Sequence, residues 1–158
     1  MSEEDILNWR RIDERVTTSG QPSEEQMAKL KDLGVTSVIN LGPHSNKGAL
    51  EDEAATLKAL EMTYIYIPVD FEAPTQADFK AFCDAMARTE AETVHVHCIY
   101  NARVSAFFYL YLQRNRGVTE KKARVLMGSI WRPGGVWAAF IGDKAAVSRD
   151  HLYAEDGY

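Results

Sequence analysis

Cysteine, proline and long apolar runs are scarce in this chain of 158 residues, which has two cysteines and five prolines. Two cysteines, Cys83 and Cys98, cannot form a disulfide framework, and a reducing compartment would keep both as thiols. No stretch reaches the ~18 uninterrupted apolar residues of a membrane span. The start, MSEEDILNWRRIDERV, has acids where a secretory signal has a basic stretch followed by an apolar run. The sequence therefore predicts a cytoplasmic protein with no membrane partner.

An excess of basic residues is also lacking, since 18 lysines and arginines stand against 23 aspartates and glutamates, for a net charge of −5. A general nucleic-acid partner normally requires a basic face, so none is expected. With 46% hydrophobic and 26% charged residues, the composition is that of a folded globular protein. We expect one domain over residues 1–158, with an N-terminal segment at 1–12 and a frayed polar tail at 148–158.

Four short runs rich in β-branched and aromatic residues alternate with helical stretches. The runs are RVTTSG, VTSVINL, TYIYIPV and TVHVHC. The segments between them are too long for hairpins, so the spacing predicts crossover helices and a largely parallel sheet. Capping and periodicity predict helices at 23–34, 50–60, 75–88, 105–112, after residue 119 and at 137–147.

One cysteine stands between a strand and a helix, in VHVHCIYNARVSAFFYLYL (residues 94–112). Cys98 ends the strand, and the helix from Ser105 to Leu112 is apolar on nearly every side, which predicts burial. The loop between them lies at the carboxyl edge of the sheet, where backbone amides near a helix N-terminus stabilise an anion or a thiolate. Arg103 adds a planar fork that suits phosphate or sulfate oxygens. The pattern fits an oxyanion site, and it fits equally a core cysteine beside a surface arginine.

The stretch from His97 into the buried helix resembles the phosphate-binding loop of the cysteine-dependent protein tyrosine and dual-specificity phosphatases. TYIYIPVD resembles the strand before their general-acid loop. SGQPSEEQMAKLKDLGVTSVINLGP resembles the opening of a bacterial branch of that superfamily, a small domain of unknown function sometimes fused to a β-lactamase-like hydrolase. The resemblance implies a three-layer α/β/α fold with a parallel four-stranded sheet, of the phosphotyrosine protein phosphatase II type. It also implies a phosphatase that needs no cofactor or metal and hydrolyses a phosphomonoester through a phosphocysteine.

By this resemblance, Cys98 is the nucleophile, Arg103 grips the phosphoryl oxygens and Asp70 protonates the leaving oxygen. Glu72 and Asp78 are rivals for the acid role, and Asp70 could be a plain loop carboxylate. The remaining expectations follow the family's loop, with His97 as its structural support. The residues expected to bind the substrate, or an oxyanion such as phosphate or sulfate, are Ile99, Tyr100, Asn101, Ala102, Arg103, Val104 and Ser105.

The spacing of the loop departs from the family, because four residues separate Cys98 from Arg103 where five are usual. In one interpretation the loop has its normal length and Val104 stands at the arginine position, so that Arg103 misses the phosphate. In the other, the loop is one residue shorter and Arg103 points inward as usual. Asn101 stands near the place of the usual glycine, and asparagine tolerates a left-handed backbone.

Three alternatives to a working phosphatase remain open from the sequence. Rhodanese-like sulfurtransferases also place a cysteine at this strand end, often with four residues before an arginine. A metal site is suggested by HVHC, although alternation puts His95 and His97 on one face of the strand and Cys98 on the other. The third alternative is an inactive phosphatase-like module that binds a phosphorylated ligand.

Overall fold

The central sheet has five strands in the order β1-β2-β5-β3-β4, and a computed structural model describes residues 2–158. A separate two-stranded sheet joins β6 and β7. The strands are β1 Arg10–Arg11, β2 Val16–Ser19, β3 Ser37–Asn40, β4 Thr63–Tyr66, β5 Val94–His97, β6 Trp131–Arg132 and β7 Leu152–Tyr153. The helices are α1 Glu24–Asp32, α2 Glu53–Ala59, α3 Gln76–Arg88, α4 Ala102–Arg116, α5 Glu120–Gly128 and α6 Gly135–Ile141.

The four longer strands of the central sheet are parallel, as the sequence predicts. Strand β5 is at the centre, and its last residue, His97, pairs with Ser19 of β2 and Asn40 of β3. Strand β1 adds a two-residue antiparallel edge beside β2, which the pattern of the sequence does not reveal. The carboxyl ends of β2, β3 and β5 therefore meet at one edge of the sheet, and the residue that follows β5 is Cys98.

Two apolar cores, one on each face of the sheet, give the molecule its three layers. On one face, α1 and α2 pack through residues such as Leu30 and Leu57 against Val38. On the other, α3 to α6 pack against the sheet through a larger core that includes Phe82 and Phe107. The predicted α/β/α architecture is confirmed.

Local signals explain where the helices begin. Ser23 caps α1, and Gln26 completes the predicted capping box, with Ser23 Oγ accepting from the Gln26 amide at 3.1 Å. Thr75 caps α3 with Asp78 as its reciprocal partner. Helix α4 begins at Ala102, three residues before the predicted start at Ser105, so the helix N-terminus lies directly beside the cysteine loop.

The predicted helix at 137–147 is divided in the structure. Helix α6 ends at Ile141, and Gly142 then adopts a left-handed conformation with φ of 86° before a short 3₁₀ turn at Lys144–Ala146. A left-handed residue ends an α-helix, and glycine adopts this conformation without a Cβ penalty.

The C-terminal tail is not frayed, and the prediction of a frayed end at 148–158 was wrong. Strand β7 pairs with β6, with Tyr153 opposite Trp131. His151 also packs on Trp131, with ring centroids 4.9 Å apart. Most residues of the tail are polar, but its two aromatic rings, His151 and Tyr153, are partly buried and hold the tail in place. Within residues 2–158, no helix is long and apolar enough to cross a membrane.

Candidate active site

Cys98 lies at the carboxyl end of β5, immediately before the loop that leads into α4. Its residue is only 1% exposed, yet it lines a cavity of about 320 Å³, the Cys98 cavity. The other residues that line this cavity are Asn46, Phe71, Glu72, Ile99, Tyr100, Ala102, Arg103 and Tyr153. Cys98 is thus buried and yet borders a cavity that can hold a ligand.

The carbonyl groups of the loop each accept a hydrogen bond from outside the loop. The carbonyl oxygen of Cys98 accepts from His97 Nδ1 at 2.9 Å, and that of Ile99 accepts from the Gln21 amide at 3.0 Å. The carbonyl oxygen of Tyr100 accepts from Asn8 Nδ2 at 2.8 Å. In a trans peptide the next N–H points opposite to the carbonyl. The amides of residues 99, 100 and 101 are therefore turned away from these donors.

The backbone amide of Asn101 donates a hydrogen bond to Cys98 Sγ at 3.2 Å. Asn101 has φ of 82°, the left-handed conformation that the sequence predicts as permissible for asparagine. Its side chain donates to the Asn8 carbonyl at 2.9 Å and to Thr18 Oγ1 at 3.1 Å. Asn8 thus donates one hydrogen bond to the loop, at the Tyr100 carbonyl, and accepts another from it. The N-terminus of α4 adds its partial positive charge at the same place.

Gly20 is required by the close approach of the loop to β2. A Cβ on Gly20 would lie 2.6 Å from the carbonyl oxygen of Ile99, closer than real contacts allow. The absence of a side chain here allows the Gln21 amide to reach that carbonyl.

Arg103 faces the Cys98 cavity and is 5% exposed. Its Nη2 donates to Asn46 Oδ1 at 2.9 Å, and its guanidinium lies over the ring of Phe71 at 5.2 Å. Its Nε is buried and has no hydrogen-bond partner among the described residues. Arg103 therefore lines the same cavity as Cys98.

Asn101, Val104 and Ser105 do not line the Cys98 cavity, although the sequence predicts all three as substrate-binding residues. Val104 is fully buried in the larger core. Ser105 lines a different, narrow cavity between α4 and α5, and its Oγ donates to the Ala102 carbonyl at 3.0 Å. Helix α4 already begins at Ala102, so its turn sends the side chains of Val104 and Ser105 away from the cysteine.

The three candidate acids differ in their surroundings. Asp78 accepts from the Thr75 amide at 3.1 Å as part of the α3 cap. Glu72 lines the Cys98 cavity, and Asp70 and Glu72 both line an adjoining cavity of about 500 Å³, the Asp70 cavity. The two cavities share Asn46, Phe71, Glu72 and Arg103 as lining residues. Asp70 is exposed and accepts from the Glu72 amide at 2.9 Å.

His97 supports the loop through a buried chain of hydrogen bonds. Its Nδ1 must carry a hydrogen, because it faces a carbonyl oxygen, which only accepts. Its Nε2 lies 2.6 Å from Glu53 Oε2, so the buried pair shares a further proton. Glu53 Oε1 accepts from Gln21 Nε2 at 2.9 Å. Glu53 thus becomes the buried partner of His97, although the two residues are 44 positions apart in the chain.

His95 has a separate role beneath the sheet edge. The Ser19 hydroxyl donates to the Gly20 carbonyl at 2.6 Å, so Ser19 Oγ accepts from His95 Nε2, 2.7 Å away. His95 Nδ1 then accepts from Thr17 Oγ1 at 2.8 Å. Burial lowers the pKa of His95 well below its usual value, because desolvation and His97 both disfavour its charged form. In residues 2–158, no group of three or more His, Cys, Asp or Glu side chains is arranged to hold a metal ion.

Several residues around the cavity escape sequence reasoning because they are distant in the chain. Asn8, Gln21, Asn46 and Glu53 are ordinary polar residues with no motif of their own. The signal that could have found them is their topology. Parallel strands bring the segments after β2 and β3 to the same sheet edge as the cysteine loop.

The fold and the cysteine loop define a class: three-layer α/β domains of the tyrosine and dual-specificity phosphatase type. Over residues 1–129, the chain matches the family described as "DSP-PTPase phosphatase fused to NAD+ Kinase", and it belongs to that family. The resemblance inferred from the sequence is thereby confirmed.

Individual relatives agree with this assignment. A β-lactamase hydrolase-like protein of Xylella fastidiosa (strain Temecula1) is 33% identical over 102 residues, which is 63% of this chain. The match covers 23% of that relative, so the chain spans about a quarter of its length.

Two solved structures extend the comparison. A DUF442 protein from Shewanella putrefaciens CN-32 has a TM-score of 0.77 at 33% identity, over 89% of this chain and 92% of that chain. P. aeruginosa TpbA, solved in complex with phosphotyrosine, has a TM-score of 0.65 at 19% identity. That match covers 80% of this chain and 74% of TpbA, and it is a likeness of fold.

Proposed function

We propose that this protein is a cysteine-dependent phosphatase that hydrolyses a phosphomonoester in the Cys98 cavity. The observation that carries the proposal is the hydrogen bond from the Asn101 amide to Cys98 Sγ, at the N-terminus of α4, with Arg103 lining the same cavity. Amides, a helix N-terminus and a guanidinium supply the charge that a phosphoryl group needs as its three oxygens gain negative charge.

The proposed reaction has two steps. In the first, the Cys98 thiolate attacks phosphorus, a sulfur–phosphorus bond forms, and the bond to the leaving oxygen breaks. That oxygen takes a proton from Asp70, because an alkoxide or phenoxide is a poor leaving group. In the second, Asp70 accepts a proton from a water that attacks phosphorus, and phosphate departs with the thiolate restored. The scheme uses no metal or cofactor.

Asp70 is our candidate for the acid, and Glu72 is its rival. Both line the Asp70 cavity, and Glu72 also lines the Cys98 cavity. Asp70 is exposed and fixed through one of its oxygens by the Glu72 amide, which leaves the other oxygen available. The same hydrogen bond orients the segment that follows it.

The test is hydrolysis of p-nitrophenyl phosphate by the wild type and by Cys98→Ser, with and without EDTA. Cys83→Ser is the matched control, since burial raises the pKa of the Cys83 thiol and it lies on α3, outside both cavities. The proposal predicts turnover by the wild type and by Cys83→Ser, none by Cys98→Ser, and no effect of EDTA. Inhibition by EDTA, or full activity of Cys98→Ser, contradicts it.

A second candidate function is sulfur transfer, favoured by the four residues between Cys98 and Arg103. In that reaction the Cys98 thiolate takes the outer sulfur of thiosulfate and releases sulfite, and the persulfide passes this sulfur to cyanide. Formation of thiocyanate with no phosphate release would replace our first candidate by this one. Phosphate binding without either turnover would indicate an inactive binding module.

A reducing compartment belongs to the proposal, because the Cys98 thiol must escape oxidation. We therefore propose a cytoplasmic enzyme acting on a phosphate-bearing substrate, with no membrane or nucleic-acid partner.

A further inference from the structure

Arg103 is held by residues outside the cysteine loop. Its Nη2 donates to Asn46 Oδ1 at 2.9 Å, and its face lies over Phe71 at 5.2 Å. Among residues 2–158, its buried Nε has no partner, although the residue is 95% enclosed. A buried donor without an acceptor is costly, so this nitrogen is suited to a ligand oxygen.

Asn46 belongs to the turn that follows β3, and this turn is itself hydrogen-bonded. Its amide donates to the Pro43 carbonyl at 3.0 Å, and its carbonyl accepts from the Ala49 amide at 3.1 Å. Asn46 lines both the Cys98 cavity and the Asp70 cavity. It therefore stands at the boundary between the proposed nucleophile and the proposed acid.

The chemistry of the contact fixes how the Asn46 side chain is turned. A guanidinium has only donors, so the oxygen of the amide must face Arg103. The nitrogen of the same amide then has two hydrogens to donate elsewhere. Within the described residues 2–158 this nitrogen donates to no protein atom, and it is not fully enclosed.

We infer that Asn46 is a substrate-positioning residue, which aims the Arg103 fork and donates from its own Nδ2 to the same oxyanion. This rests on the proposed function of the Cys98 cavity as a phosphoryl site. The neutral amide matters, because a carboxylate at this position would bind the arginine more tightly and repel a phosphate dianion. The turn that follows β3 thereby holds the arginine that follows the cysteine loop.

The test is the dissociation constant of inorganic phosphate, by calorimetry, for Asn46→Ala and Asn46→Asp. The matched controls are Asn115→Ala and Asn115→Asp, which make the same changes at an exposed site near the end of α4. We expect a loss of about tenfold for Asn46→Ala and of about 30-fold or more for Asn46→Asp, with unchanged melting temperatures. Both Asn115 variants should bind phosphate as the wild type does.

Hydrolysis of p-nitrophenyl phosphate by the same proteins separates this inference from the proposed function. A wild type that binds phosphate but does not turn over refutes the proposed reaction, and the phosphate constants then still decide the role of Asn46. A wild type that turns over, with Asn46→Asp unchanged in phosphate affinity and KM, overturns the inference alone. A wild type that binds no phosphate overturns both.

Discussion

The cysteine loop lines the Cys98 cavity, the segment from Asp70 to Glu72 lines both cavities, and the two segments are built differently. In the loop, each carbonyl from Cys98 to Tyr100 has a donor behind it. The acid segment is anchored mainly at Phe71, whose carbonyl accepts from Trp137 Nε1 at 2.7 Å. Under the proposed function, the loop half of the site is therefore preassembled, whereas the acid half holds the exposed Asp70 carboxylate through a single hydrogen bond from the Glu72 amide.

A substitution at Arg103 should give the largest effect on the preassembled half. Arg103→Lys keeps the charge but loses the planar fork, so we expect kcat/KM to fall by about 10²–10³-fold. Arg114→Lys is the matched control, since Arg114 also lies over a phenylalanine ring, Phe79, at 5.4 Å. Steady-state kinetics on an aryl phosphate measures both. Retention of most activity in Arg103→Lys would mean that the amides alone bind the phosphoryl group.

The acid half can be examined through the leaving group. We expect Asp70→Asn to lower kcat/KM, which reports the step that releases the leaving group, by about 10²-fold for phenyl phosphate and much less for p-nitrophenyl phosphate, because nitrophenoxide needs little protonation. Asp78→Asn is the control, since Asp78 serves the cap of α3. If Glu72→Gln reproduces the leaving-group effect and Asp70→Asn does not, Glu72 is the acid.

The outside support of the loop predicts a smaller effect at Asn8. Asn8 has φ of 51°, so Asn8→Gly removes its side-chain bond to the Tyr100 carbonyl without straining the backbone. We expect kcat/KM to fall about tenfold, since the lost hydrogen bond leaves the loop less fixed. Glu61→Gly is the control, because exposed Glu61 has φ of 60°. Equal activity of the two variants would show that the loop holds its shape unaided.

The smallest effect is on stability and comes from His95 below the loop. Its pKa in the folded protein is lowered by burial, so the unfolded chain binds a proton first as the pH falls below about 6.5. Stability should therefore fall with decreasing pH, by up to about 1.4 kcal/mol per pH unit from this group. Urea denaturation between about pH 5.5 and 7 should show a flatter dependence for His95→Gln. An identical slope would mean that His95 is charged in the fold.

The sequence predicts the fold well because its signals are local. Alternating β-branched runs, the capping box at Ser23 and the buried character of α4 each depend on neighbours in the chain. The order of the tail could not be predicted, because its pairing with β6 is a tertiary contact. The polar residues of the tail also outnumber the aromatic rings of His151 and Tyr153 that anchor it.

The same contrast between local signals and tertiary contacts applies to the candidate site. Cys98, Arg103 and Asp70 stand out through motif and resemblance, and the structure puts Cys98 and Arg103 on one cavity with Asp70 on the next. The direction of Arg103 could not be read from the sequence, since one residue of helix turns a side chain by about 100°. Asn46 is another such case, because nothing in its local sequence connects it to an arginine 57 positions away.

The most direct test of the central claim is mass spectrometry of the wild type quenched in acid during turnover of an aryl phosphate. The account predicts one added phosphoryl group, on the peptide that contains Cys98, which is absent in Cys98→Ser and unaffected in Cys83→Ser. Turnover without this adduct in a rapidly quenched sample, or an adduct on another residue, would contradict a phosphocysteine formed in the preassembled loop.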